Sequence, residues 1–134
     1  MKIGNIKIDG KIVLAPLAGY TNAVYREIGK VAGANLVYSE MISAKGLIYE
    51  NDKTWDLAYV SPIEHPIAMQ IFGSNPQDMA IAARILDEKA DCDIIDINMG
   101  CPVKKVLKDF SGSYLLQDVV KVSEIVSEVV EAVN

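Results

Sequence analysis

Four short apolar runs, at 12–15, 36–39, 67–71 and 94–97, alternate with stretches whose apolar residues recur at helical spacing. Runs this short and continuous suit strands buried on both faces, because a helix needs ten or more residues. Between the first two runs, residues 22–32 align Val24, Tyr25, Ile28 and Val31 or Ala32, and Gly33 is placed to end that helix. After the third, Asn75 and Pro76 read as cap and first helical residue, Asp78 falls in the first turn, and Met79, Ala82, Ala83 and Leu86 form a stripe. A last helix follows Asp118, carrying Val119, Val122, Ile125, Val126, Val129, Val130 and Val133. Residues 41–64 break the alternation and read as a long connection of short helical turns, with Tyr49, Trp55 and Tyr59 as local core. Strands alternating with helices imply an α/β fold with a parallel sheet and right-handed crossovers.

The 134 residues suit a single domain over 1–134. At 51% hydrophobic and 23% charged the composition is globular. No apolar run approaches the roughly 18–20 residues of a membrane helix, so no membrane partner is expected. The polar start Met1-Lys2-Ile3-Gly4-Asn5 is unlike a signal peptide, which makes the expected location cytoplasmic. Two cysteines, Cys92 and Cys101, make no disulfide framework, and no Cys/His spacing points to a metal. A net charge of −5 argues against general coating of nucleic acid, yet Lys104, Lys105 and Lys108 cluster after Cys101.

In parallel α/β folds the working residues lie at the carboxyl ends of strands. Here those ends carry Pro16-Leu17-Ala18-Gly19-Tyr20-Thr21, then Ser39-Glu40-Met41, then Gln70 with Gly73-Ser74, then Asn98-Met99-Gly100-Cys101-Pro102. Such residues suit a site at one end of a barrel or sheet, and they suit ordinary turns as well. Cys101, between Gly100 and Pro102, is a candidate nucleophile or proton donor. Gln70 is a long amide on an apolar strand and needs partners; a planar heterocycle with adjacent donor and acceptor atoms would supply them. Asn98 is similar, and Asp96, amid isoleucines, must be paired or face a polar interior. Cys92, just before a strand, reads as an inert thiol. His65, at the amino-terminal end of a strand, reads as structural.

Together these segments resemble the tRNA-dihydrouridine synthases, flavin-dependent (β/α)8-barrel enzymes. The matching stretches are Leu14-Ala15-Pro16-Leu17-Ala18-Gly19-Tyr20-Thr21, Ser39-Glu40-Met41, Met69-Gln70-Ile71-Phe72-Gly73 and Asp96-Ile97-Asn98-Met99-Gly100-Cys101-Pro102-Val103-Lys104-Lys105. The resemblance implies that Pro16, Leu17 and Ala18 contact the ring system of FMN and that Gln70 bonds its polar edge. It implies that Asn98 places a uracil, that Cys101 is the general acid, and that Lys104 and Lys105 meet the tRNA backbone. In that family NADPH reduces FMN, and the uracil is reduced to 5,6-dihydrouracil after leaving its stack.

A (β/α)8 barrel needs about 250 residues, so this sequence corresponds to the N-terminal half of one, strands one to four. The family's flavin-contacting lysine and histidine, its phosphate-binding loops and its helical RNA-binding domain have no counterpart here. Phe110 and Tyr114 stand where the family keeps very small residues. Four parallel strands leave two open edges, which predicts a homo-oligomer of paired half-barrels; a flavodoxin-like open sheet is the alternative. The matching alternative in function is a non-catalytic half-barrel that self-associates without flavin.

Overall fold

The structure is a computed structural model and describes residues 1–133. The chain opens with a small antiparallel hairpin, β1 (Lys2–Ile3) and β2 (Ile6–Lys7). An extended segment follows, in which Val13 bridges Leu36 in parallel. Then come α1 (Ala23–Val31), β3 (Val37–Tyr38), β4 (Ile42–Ser43), α2 (Ala44–Ile48) and α3 (Asp52–Leu57). Next are β5 (Ile67–Phe72), α4 (Pro76–Lys89) and β6 (Ile94–Ile97). The last elements are α5 (Lys104–Lys108), a 3₁₀ turn (Gly112–Gln117) and α6 (Val119–Ala132).

All pairings in the main sheet are parallel, and spatial order follows chain order. The segment at Val13 lies beside Leu36, β3 and β4 both pair with β5, and β6 pairs with the other side of β5. A doubly wound sheet would place its second strand at the edge, in the order 2-1-3-4. The flavodoxin-like alternative is therefore excluded, and the chain holds four consecutive strands of a (β/α)8 barrel.

Alternation along these strands divides the core in two. Val37, Ile67, Met69 and Ile71 point outward and pack with Leu47 of α2, Leu86 of α4 and Ile125 of α6. Each of these side chains is at least 98% buried, and full burial contributes about 1.5–3 kcal/mol per residue. On the inner face Leu36 and Ala68 meet Ile8, which the β2 hairpin carries under the sheet, with Tyr38 and Ile94 against them. Caps close the helices as the sequence implies: the Asn22, Asn75 and Asp118 side chains accept from backbone N–H groups of α1, α4 and α6. Gly33, at φ +103, ends α1 in a conformation that disfavours L side chains.

Three expectations are corrected. The first run is an edge and not a buried strand: Ile12 is 60% exposed, because nothing covers its outer side. The stripe of α1 faces solvent, with Val24, Ile28 and Val31 exposed, while Arg26 is the buried residue of that helix. Tyr49 and Tyr59 are exposed, and of the three aromatic residues in that connection only Trp55 packs against the core.

Candidate active site at the carboxyl ends of the strands

β3 and β4 are one strand interrupted by a bulge. Tyr38 is opposite Ala68 and Ile42 opposite Ile71, so four steps on one strand match three on the other. Ser39 repairs the break. Its hydroxyl accepts from the backbone N–H of Gln70 at 2.9 Å and donates to the carbonyl of Glu40 at 2.8 Å. The bulge leaves the Glu40 carboxylate accepting from the N–H of Gly19, which ties the loop after the first strand to the second.

That loop is held from below as well. Thr21 is fully buried, and its hydroxyl both accepts from the N–H of Leu17 (3.1 Å) and donates to the Leu17 carbonyl (3.2 Å). Arg26 donates to the Thr21 carbonyl at 2.8 Å and to the Tyr59 carbonyl at 2.7 Å, and forms an ion pair with Glu64 at 3.0 Å. Glu64, fully buried, also accepts from the N–H of Ser61 at 2.8 Å. One buried ion pair thus joins α1, the first-strand loop and the segment before β5.

Above this support lies a cavity of about 440 Å³, and Pro16, Leu17, Ala18, Gln70, Asn98 and Cys101 all line it, together with Met41. Six residues spread over 85 positions of sequence therefore meet at one place. A chain of hydrogen bonds crosses its floor. Asp96 accepts from Gln70 Nε2 at 2.6 Å, Asn98 Nδ2 donates to Gln70 Oε1 at 2.8 Å, and the N–H of Cys101 donates to Asn98 Oδ1 at 3.0 Å. Asp96 meets its expected need for a partner in this way. A glutamine amide has two hydrogens and two lone pairs. Asp96 and Asn98 use one of each, which leaves Gln70 one donor and one acceptor. That remaining pair fits the adjacent N–H and C=O of a flavin's pyrimidine edge.

Cys101 is half-buried and free. Its loop is held against Gly112 (φ +63), where a Cβ would lie 2.6 Å from the Cys101 carbonyl oxygen, and Ser113 N–H donates to that same carbonyl at 3.0 Å. Phe110 and Tyr114 stack edge to face, with centroids 5.2 Å apart, and line a different cavity with Ser74 and Asp118. Their bulk therefore lies outside the Cys101 cavity. Lys104 and Lys105 are exposed on α5. Lys105 lines a second cavity, of about 610 Å³, which shares Ala18, Met41, Cys101 and Val103 with the first, whereas Lys104 lines neither.

The remaining titratable candidates lie elsewhere. His65 Nδ1 is 2.8 Å from Asp93 and its Nε2 is 3.3 Å from Asp91, at the amino-terminal end of the sheet. The hydrogen bond to Asp93, opposed in part by burial, raises the imidazole above its ordinary range. Burial pushes the Cys92 thiol up to about 11, which keeps it protonated and unreactive. No group of His, Cys, Asp and Glu among the described residues could hold a metal ion, and no helix is long and apolar enough to cross a membrane. Sequence reading placed Ser39 and Glu40 at a strand end without assigning them a role, and missed the Arg26–Glu64 pair. Arg26 lies on the face of α1 opposite the apolar stripe, so the spacing gave no signal for its burial.

Comparison with known proteins agrees with this geometry. The family model described as dihydrouridine synthase (Dus) matches residues 13–134. The chain is 44% identical over 137 residues to tRNA-dihydrouridine synthase B of Escherichia coli (strain K12), covering 100% of this chain and 41% of that one. It is 41% identical over 125 residues to a probable tRNA-dihydrouridine synthase of Aquifex aeolicus, covering 93% of this chain and 39% of the relative. It is 41% identical to tRNA-dihydrouridine synthase B of Vibrio parahaemolyticus, again over 41% of the relative's length. The chain thus spans about two-fifths of the relatives it matches. By sequence, by strand order and by the residues gathered at the strand ends, it belongs to the dihydrouridine synthase family.

Proposed function

We propose that this chain provides the flavin- and uracil-holding half of a tRNA-dihydrouridine synthase site, acting on uridine of tRNA in the cytoplasm. The observation that carries this reading is the convergence of Pro16, Leu17, Ala18, Gln70, Asn98 and Cys101 on one cavity, with one donor and one acceptor of Gln70 left free. When bound, FMN reduced by NADPH would supply hydride chemistry for C6 of uracil. Gln70 would hold the polar edge of the flavin, and Pro16, Leu17 and Ala18 would pack against the ring. Asn98 has a second amide hydrogen and a second lone pair with which to orient a uracil. Cys101 delivers a proton to C5, from a thiol that backbone bonds to Asn98 and Ser113 keep in place. Lys104 and Lys105 meet the tRNA backbone. A single domain that self-associates supplies the rest of the barrel wall.

The test is a visible spectrum of the purified chain after FMN is added and the excess removed. Retained yellow flavin that Gln70→Leu loses is the expected result; a colourless protein defeats the reading. A second reading, a folded half-barrel that self-associates without flavin, is favoured by the exposed stripe of α1, where Val31 is 83% exposed. Under it the chain is colourless yet oligomeric.

A further inference from the structure

The larger cavity, of about 610 Å³, is lined by Cys101 but not by Gln70. Met41, Phe72 and Val106 line it, as do Lys105 and Lys108. We propose that it binds the nucleotide next to the reacting uridine, with the base against Phe72 and the linking phosphate at the two lysines.

Four observations carry this. The two cavities share Ala18, Met41, Cys101 and Val103, so their occupants are neighbours, as two consecutive nucleotides must be. The volume exceeds what one base needs and admits a sugar and phosphate. Phe72 continues β5 beyond Ile71 and is only half-buried, which leaves an aromatic surface on which any base can stack. The charges are complementary in a chain whose net charge is −5. Asp109, the one acid on the wall, lies 3.9 Å from Lys45, while Lys105 and Lys108 have no ion pair among the described residues. An RNA backbone would give them one.

The inference rests on the proposed action on RNA, and the test separates the two. The full chain is titrated at low salt with uridine 5′-monophosphate and with dinucleotides that carry 2-aminopurine on either side of uridine, while FMN retention is measured in parallel. The expected result is quenched 2-aminopurine fluorescence for one of the two dinucleotides, with binding at least about tenfold tighter than for the mononucleotide. Phe72→Ala should abolish the quenching and that advantage. Lys108→Ala should weaken dinucleotide binding and lower its salt slope by about one. Both variants should retain as much FMN as the parent. Flavin retained with no preference for a dinucleotide overturns this inference and leaves the proposed function standing. No flavin, with quenching that depends on Phe72 and Lys108, overturns the proposed function and leaves the cavity a nucleotide site. Quenching that neither substitution changes overturns the inference outright.

Discussion

Asp96 illustrates how a residue outside a cavity can orient the residues that line it. A glutamine amide can flip by half a turn at almost no cost in shape, and the flip exchanges donor for acceptor at the cavity. A carboxylate at 2.6 Å admits only the N–H end, so Asp96 fixes which way Gln70 presents itself. Asn98 is then fixed by Gln70, and the Cys101 backbone by Asn98. Asp96→Asn should lower flavin affinity by about tenfold, the equivalent of about 1.4 kcal/mol, and should move the Cys101 amide resonance in a nitrogen–proton spectrum. Unchanged affinity together with an unmoved resonance would refute the relay. Cys101→Ala should leave flavin retention intact and abolish dihydrouridine formation, read separately by absorption and by nucleoside chromatography. Arg26 and Glu64 set a different limit. Removing one member of a buried pair costs about 3–5 kcal/mol, so Glu64→Leu should lower the denaturation midpoint sharply. Arg26→Leu combined with Glu64→Leu should recover only part of it, because the Thr21 and Tyr59 carbonyls and the Ser61 N–H also lose their partner. Full recovery in the double variant would mean that those backbone bonds contribute little. Gln70 and Cys101 could be read from the sequence, since an amide and a thiol at strand ends stand out against apolar runs. Glu40 and Ser39 could not, because their roles arise from a bulge that only the register of β4 on β5 reveals.

Among the elements, the strands were the most legible and the helix faces the least. The first five of the six residues of β5 are buried, as suits a central strand. The spacing in α1 was read correctly as helical. The spacing could not say which side is buried, because Arg26 finds its partner in Glu64, 38 positions away. The segment around His65 was read as structural, and its geometry now gives it a pH dependence. Hydrogen bonding to Asp93, with Asp91 nearby, raises the His65 imidazole above its unfolded value near 6.5. A group whose folded value is raised stabilises fully below the unfolded value and loses that contribution as pH climbs through the folded one. The Asp93 carboxylate also accepts from the Ile67 N–H at 2.8 Å, so the effect reaches the first residue of β5. The pair is partly exposed, and its contribution is at most about 1 kcal/mol. Midpoints measured from pH 5 to pH 9 should fall in the upper part of that range, and His65→Gln should flatten this decline. An identical slope in that variant would assign the decline to other groups.

On the scale of the whole molecule, the two outer edges of the described sheet could pair with those of a second copy. Among the described residues, the segment at Val13 pairs on one side only, with Leu36, and β6 on one side only, with β5. Beside the first edge stand Val24 and Ile28 of α1, 66% and 63% exposed; beside the second stand Val126 and Val130 of α6, 40% and 65% exposed. A further cavity, lined by Ile95, Ile97, Val126 and Val130, opens between β6 and α6. A two-fold axis along the barrel axis would set β6 of one copy beside the Val13 segment of the other, and the reverse, closing eight parallel strands. The same rotation would bring α1 of each copy against α6 of its partner, covering apolar surface that a monomer leaves in water. Light scattering at micromolar concentration should therefore give twice the 14.6 kDa chain mass. Ile28→Glu and Val130→Glu, one on each face, should each reduce it to a single chain mass while leaving the circular dichroism of the helices in place. An eight-stranded barrel has one mouth, so flavin retained by the dimer should amount to one per two chains. A monomer that binds one flavin per chain would show that the four-stranded half carries the pocket unaided and that its edges need no partner.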